Sequence, residues 1–278
     1  MMVPVGIMQG RLVPPVDGRI QAFPAENWKE EFELASDAGL ACIEWIYETS
    51  RNFVNPLETE KGIKEIKELT KQTGVRVSSI CADYYMSEML VKLDGAANDK
   101  VVSHLRWLIS QSKKLDVNHI VLPFVDASSL ASQTHVETVS NIIRFVIPHA
   151  VHHDVELHLE ADLSPKIFQK LLKKIDHPSV RVNFDIGNSA ALGYDPIEEL
   201  RELSPYLGSI HVKDRLLGGG SVPLGTGNAD FKTCFRLLRN ISFDGCLILQ
   251  AARGEVGDEL QLANKNRSFV ENYWQNAE

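Results

Sequence analysis

Only four cysteines, Cys42, Cys81, Cys234 and Cys246, occur in the 278 residues, and no two of them form a CxxC pair. That scarcity argues against a zinc knuckle and against a disulfide framework; cysteines inside strand-like runs behave as small apolar residues. Long hydrophobic stretches are missing as well. No window holds about 18 apolar residues in a row, and the N-terminus has no basic segment leading into an apolar one, so a soluble, cytoplasmic protein with no membrane partner is expected. Positive charge is in deficit, with 29 Lys and Arg against 37 Asp and Glu and a formal net charge of -8. Such a balance repels a phosphate backbone, so nucleic acid is not an expected partner. No linker rich in Pro, Gly or Ser divides the chain, and there is no low-complexity run or short-period repeat. With 44% hydrophobic residues the chain can bury one large core, and residues 1–278 read as a single domain, with homo-oligomer formation left open.

What is present is alternation. Strand-like runs at Val3 to Met8, Ala41 to Ile46, Val75 to Cys81 and His119 to Phe124 precede four more, Val155 to Glu160, Val180 to Asp185, Leu207 to His211 and Cys246 to Gln250. Between them lie segments with apolar spacing of three and four, such as Trp28, Phe32 and Ala35, or Ile63, Ile66 and Leu69. Boundary signals agree: Gly39 and Gly74 stand at helix C-termini, Ser164-Pro165 and Asp195-Pro196 at helix N-termini, and Asp176-His-Pro178 breaks a helix before Val180. Eight strand and helix pairs predict parallel strands with right-handed crossovers closing into a (β/α)8 TIM barrel, with an open doubly wound sheet as the competing arrangement.

In such a barrel the strand ends share one mouth, which would bring together Glu160, Asp185, His211 and Gln250. A carboxylate closing an apolar run is costly to bury without a cation or donors, so these four read as ligands of a divalent metal. Two carboxylates, an imidazole and an amide oxygen suit Mn, Mg or Co better than a thiolate-selecting ion, with Zn as an alternative. Period-two alternation puts His158, Asn183, Ser209 and Lys213 on the same inward faces. Lys213 and Arg215 would add positive charge for an enediolate or a phosphate. Gln9 with Arg11, Glu44 with Trp45 and Tyr47, and Asp83 with Tyr84 and Tyr85 fall at the ends of the first three strands. There aromatic faces beside polar groups would suit a sugar. The run Gly218 to Gly227 reads as a lid, as a backbone cradle for phosphate, or as a plain connection. His149, His152 and His153 fall at the opposite end of the barrel, and His104, His135 and His177 are assigned no partner.

These residues resemble the sugar phosphate isomerase/epimerase family of xylose isomerase-like TIM barrels, distantly related to endonuclease IV. The likeness is carried by Gly6-Ile-Met-Gln-Gly-Arg11, Ile43-Glu44, Ser79-Ile-Cys-Ala-Asp83, Leu159-Glu160, Asp185-Ile-Gly-Asn188, His211-Val-Lys-Asp214 and Pro223 to Phe231. The resemblance implies Glu160, Asp185 and His211 as metal ligands and a fourth, usually glutamate, where this chain has Gln250. It also implies a small-molecule sugar or sugar phosphate substrate, with Gln9, Glu44, Asp83, Asn188 and Arg215 as residues contacting it; some relatives carry a substrate-touching His where Asn188 stands. Sugar epimerases of this family use two glutamates, one on each face of the substrate carbon, and an amide cannot exchange a proton near neutrality. The expectation is therefore a metal-dependent isomerase with Glu160 as base, alone or with Lys213. An epimerase and a non-catalytic sugar-binding barrel are the alternatives, with an endonuclease IV-like nuclease disfavoured by the charge balance.

Overall fold

The computed structural model describes residues 3–277. Parallel strands β1 (Val5–Met8), β2 (Cys42–Ile46), β3 (Arg76–Cys81), β4 (His119–Phe124), β5 (Glu156–Ala161), β6 (Val180–Asp185), β7 (Leu207–Val212) and β10 (Leu247–Leu249) close into one barrel in the circular order β1-β10-β7-β6-β5-β4-β3-β2. The open-sheet alternative is excluded by the pairing of β1 with both β2 and β10. Between β7 and β10 a short antiparallel ribbon is inserted, β8 (Asp214–Arg215) with β9 (Ser221–Val222).

The crossovers are helical because their apolar residues recur every three to four positions and face the barrel. In α1 (Glu30–Asp37) Phe32 and Ala35 are buried, and in α2 (Glu60–Thr73) Ile63 and Ile66. Gly74 ends α2 in the left-handed region at φ 76°, as the Thr-Gly boundary predicts. A short helix α3 (Tyr84–Ser87) leads into α4 (Asp99–Lys114), and α5 (Gln133–His152) follows β4. Pro165 opens α6 (Pro165–Ile175), which Asp176 closes in a left-handed conformation. After β6 come α7 (Ile186–Leu192) and α8 (Pro196–Leu203), the latter capped by Asp195, whose side chain accepts from Ile197 N. Helices α9 (Phe231–Asn240) and α10 (Glu259–Gln275) complete the ring.

Outward strand residues such as Ile43, Ile120, Leu159 and Val212 form the apolar layer beneath the helices. The barrel interior is different, since Ser79, His158, Asn183, Ser209 and His211 are all buried there and hydrogen-bonded to one another or to carboxylates. Among the described residues no helix is long and apolar enough to cross a membrane.

Candidate metal centre

One ligand atom from each of Glu160, Asp185 and His211 lies within 4.8 Å of the others, and all three residues are buried. Each arrives at the mouth by a different local device. Glu160 is the fifth residue of β5, where alternation turns it inward. Asp185 ends β6 and also caps α7, its Oδ1 accepting from Asn188 N at 2.8 Å, which leaves Oδ2 toward the centre. His211 is oriented by Glu44 of β2, to which Nε2 is joined at 2.6 Å, while Nδ1 lies 3.2 Å from Glu160 Oε2 and 4.0 Å from Asp185 Oδ2. A carboxylate behind a ligating imidazole fixes its tautomer and raises its basicity. Ser79 donates to the other oxygen of Glu44 at 2.6 Å. Glu44, expected to contact substrate, thus lies fully buried with both oxygens engaged, and its place is behind the histidine.

The donor set fits a divalent cation. Three carboxylates, Glu44, Glu160 and Asp185, face one ammonium, Lys213, so a neutral His211 would leave two net negative charges in a buried space. Left without the cation, the protein meets part of this deficit with a proton: burial alone would lower the His211 pKa, but the Glu44 charge and the hydrogen bonds to Glu160 and Glu44 raise it to about 10. Burial also works to raise Glu160, yet the bond and charge of His211, with Lys213 and Asn183, hold it below the ordinary range. Asp185 moves up because its burial is offset less completely by Lys213.

Above the centre opens a cavity of about 1140 Å³, mouth included, lined by Glu160, Asn188, Lys213, Arg215, Asp83 and Gln250 among others. Asn188 donates to Glu160 Oε1 and accepts from Arg215 Nη1, both at 2.8 Å, and Lys213 Nζ reaches Asp185 Oδ2 at 3.4 Å and Gln250 Oε1 at 3.2 Å. Gly187 makes room for Lys213, because a Cβ there would stand 2.8 Å from Lys213 Cγ. Gln9 is fully buried, its Oε1 accepting from Ile46 N at 3.0 Å, and it does not line the cavity.

Three expectations are corrected. The aromatics at the ends of β2 and β3 line no part of the cavity. Trp45 packs between Phe23 and Trp28, while Tyr47 and Tyr85 turn away to bond the two ring nitrogens of His104, each at 3.1 Å. His104 therefore does have partners. The glycine-rich run is no phosphate cradle, since the N–H groups of Gly225, Gly227 and Ala229 all donate to buried Asp214, and a Cβ at Gly227 would overlap that carboxylate. Sequence reasoning missed Gln21, a loop residue bonded to both Gln250 and Asp83; the only signal was its polarity in a segment after β1.

The profile of the family described as xylose isomerase-like TIM barrel matches residues 32–273. A curated relative, L-ribulose-5-phosphate 3-epimerase UlaE of Shigella flexneri serotype 5b (strain 8401), is 24% identical over 246 residues, covering 83% of this chain and 84% of that protein. Among solved structures, an L-ribulose 3-epimerase superposes with a TM-score of 0.75 at 18% identity, covering 99% of this chain and 96% of the other. A xylose isomerase-like TIM barrel protein from Mycobacterium smegmatis, in complex with magnesium, gives 0.74 at 18% identity, with 99% and 97% covered.

Proposed function

Because the chain belongs to the xylose isomerase-like TIM barrel family, we propose that it is a metal-dependent sugar isomerase or epimerase that enolises a sugar or sugar phosphate, with Glu160 as the base. The observation carrying this reading is the convergence of Glu160, Asp185 and His211 within one ion's reach beneath an open cavity. A divalent cation held by these three residues, Mn, Mg or Co with Zn as the alternative, supplies Lewis acidity that polarises a substrate carbonyl and acidifies the neighbouring C–H.

Glu160 is ionised at neutrality and clamped by the amides of Asn183 and Asn188, each at 2.8 Å, so it faces substrate as a base of fixed direction. Proton removal gives an enediolate; return of the proton to the adjacent carbon on the same face, with the hydroxyl proton passing from one substrate oxygen to the other, completes an aldose–ketose isomerisation with one base. The Lys213 ammonium, anchored by Asp185, stabilises the negative charge that develops on the substrate oxygens. Arg215 and Asn188 line the same wall and would bind hydroxyl or phosphate oxygens.

Epimerisation is the second reading, and the activity named for the relatives favours it. It needs a proton group on each face, and Lys213, beside Gln250, would serve opposite Glu160. Incubation of ketoses and ketose phosphates in deuterated water separates the outcomes. A changed carbonyl position, with or without label, marks an isomerase, label with inversion marks an epimerase, and unchanged, unlabelled substrate marks a binder. Independently, Mn²⁺ or Co²⁺ at 100 times its Kd stabilises the native state by about 2.7 kcal/mol, raising Tm, and Asp185→Ala abolishes the rise. A wild-type Tm that metal leaves unmoved overturns the reading.

A further inference from the structure

Four contacts run in series across the floor of the mouth. Lys213 Nζ lies 3.4 Å from Asp185 Oδ2 and donates to Gln250 Oε1 at 3.2 Å; Gln250 Nε2 donates to Gln21 Oε1 at 3.0 Å; Gln21 Nε2 donates to Asp83 Oδ2 at 2.8 Å. The direction of this chain is fixed from both sides. An ammonium only donates, so the oxygen of Gln250 must face Lys213. Arg11 Nη2, which also only donates, lies 3.3 Å from Gln21 Oε1 and sets the second amide the same way. The donor left over is Gln21 Nε2, and it is spent on Asp83.

A glutamate at position 250 would break this arrangement, because its oxygens would meet the oxygen of Gln21 with no proton between them. Glutamine accepts from Lys213 and donates to Gln21 at once. The departure from the family's usual residue is thus matched by a partner, Gln21, 229 residues away.

We propose that Gln250 is a positioning residue and not the fourth metal ligand: with Gln21 it forms an amide bridge of fixed polarity that seats the Lys213 ammonium on one wall of the mouth and the Asp83 carboxylate on the other. The proposal rests on the reading of Glu160, Asp185 and His211 as the metal site. Its consequence is that Asp83 is held facing the cavity, on a strand end remote from Lys213. The groups facing Asp83 are Cys81 at the end of β3, Gln21, Arg11 and Arg19 from the segment after β1, Glu48 from the segment after β2, and Glu160 from β5. Burial lifts its pKa to about 6, the bonds from Gln21 and Cys81 pull it down, and the Glu48 and Glu160 charges push it up.

The bridge is tested on Gln250→Met, Gln21→Met and the double variant, all of roughly conserved volume. Calorimetry with Mn²⁺ alone reads metal binding. Carboxyl ¹³C NMR of the metal-free protein, with the resonance assigned through Asp83→Asn, reads the Asp83 midpoint. Gln250→Met is expected to keep the Mn²⁺ Kd within about threefold of wild type, since Gln250 reaches Asp185 only through Lys213, whereas losing a direct hydrogen-bond partner of a ligand costs about 10–100-fold. Either single variant raises the Asp83 midpoint, because the Gln21 donor is lost or unanchored, and the double variant raises it no further than the larger single change. A loss of Mn²⁺ affinity of about tenfold or more in Gln250→Met places Gln250 on the ion or directly against one of its ligands and overturns the proposal. An unmoved Asp83 midpoint in that variant overturns it too, and Gln21→Met carries the same test if Gln250→Met does not fold. A wild-type protein that binds no Mn²⁺ overturns the metal reading itself, a failure the Asp83 titration would not mimic.

Discussion

The two walls of the barrel mouth treat their polar residues differently. On the wall built by β5, β6 and β7, the Glu160 and Asp185 carboxylates converge on one ammonium, Lys213, and with Glu44 reaching His211 from β2 the buried cluster stays negative even when the imidazole carries a proton. On the wall built by β1, β2 and β3, polar groups are largely spent on the protein: Gln9 on Ile46 N, Glu44 on His211 and Ser79, Tyr47 and Tyr85 on His104. A buried polar group that the fold satisfies stabilises the scaffold, whereas a cluster the fold leaves unbalanced needs something from outside. One wall therefore reads as chemistry and the other as its support, with Asp83 the member of the support wall that still lines the cavity.

The sharpest way to break this contrast is Glu160→Gln, which should lower solvent-deuterium exchange into substrate by about 10²–10⁴-fold while leaving the fold intact, as read by mass spectrometry and circular dichroism. A large apolar residue packed behind the other wall should give the reverse pattern: Trp45→Ala, at a site with 0% exposure, should cost about 3–5 kcal/mol in urea unfolding and leave Mn²⁺ affinity of the folded fraction near wild type. Glu44→Gln sits where the walls meet; it keeps the shape but weakens the grip on His211, and Mn²⁺ affinity should fall about 10–100-fold by calorimetry. The pH dependence is gentler per step. With the metal-free His211 pKa raised to about 10, the cation must expel one proton from the imidazole, so affinity should rise about tenfold per pH unit between about pH 6 and about pH 8. A flat profile would mean that the proton and the metal do not compete for Nδ1, and the contrast between the walls would lose its electrostatic basis.

The residues that were legible in advance are those whose role follows from position along a strand. Glu160, Asp185 and His211 end apolar runs, and a parallel barrel carries such ends to one rim whatever the helices do between them. Residues whose role depends on a neighbour distant in the chain were not legible. Glu44 meets His211 across 167 positions, and Tyr47 and Tyr85 turn toward His104 of α4 and not toward the mouth. The glycine-rich run has the composition of a phosphate loop, but Asp214 takes its N–H groups.

By itself the sequence determined the eightfold alternation, the closed barrel and the axial level of Glu160, Asp185 and His211, because hydrophobic periodicity and strand polarity are local properties of the chain. The tertiary structure alone decided which polar groups remain unsatisfied and which way each amide points, as with Gln250 between Lys213 and Gln21. A hydrogen bond belongs to two partners at once, and until both are placed neither residue's chemistry is fixed.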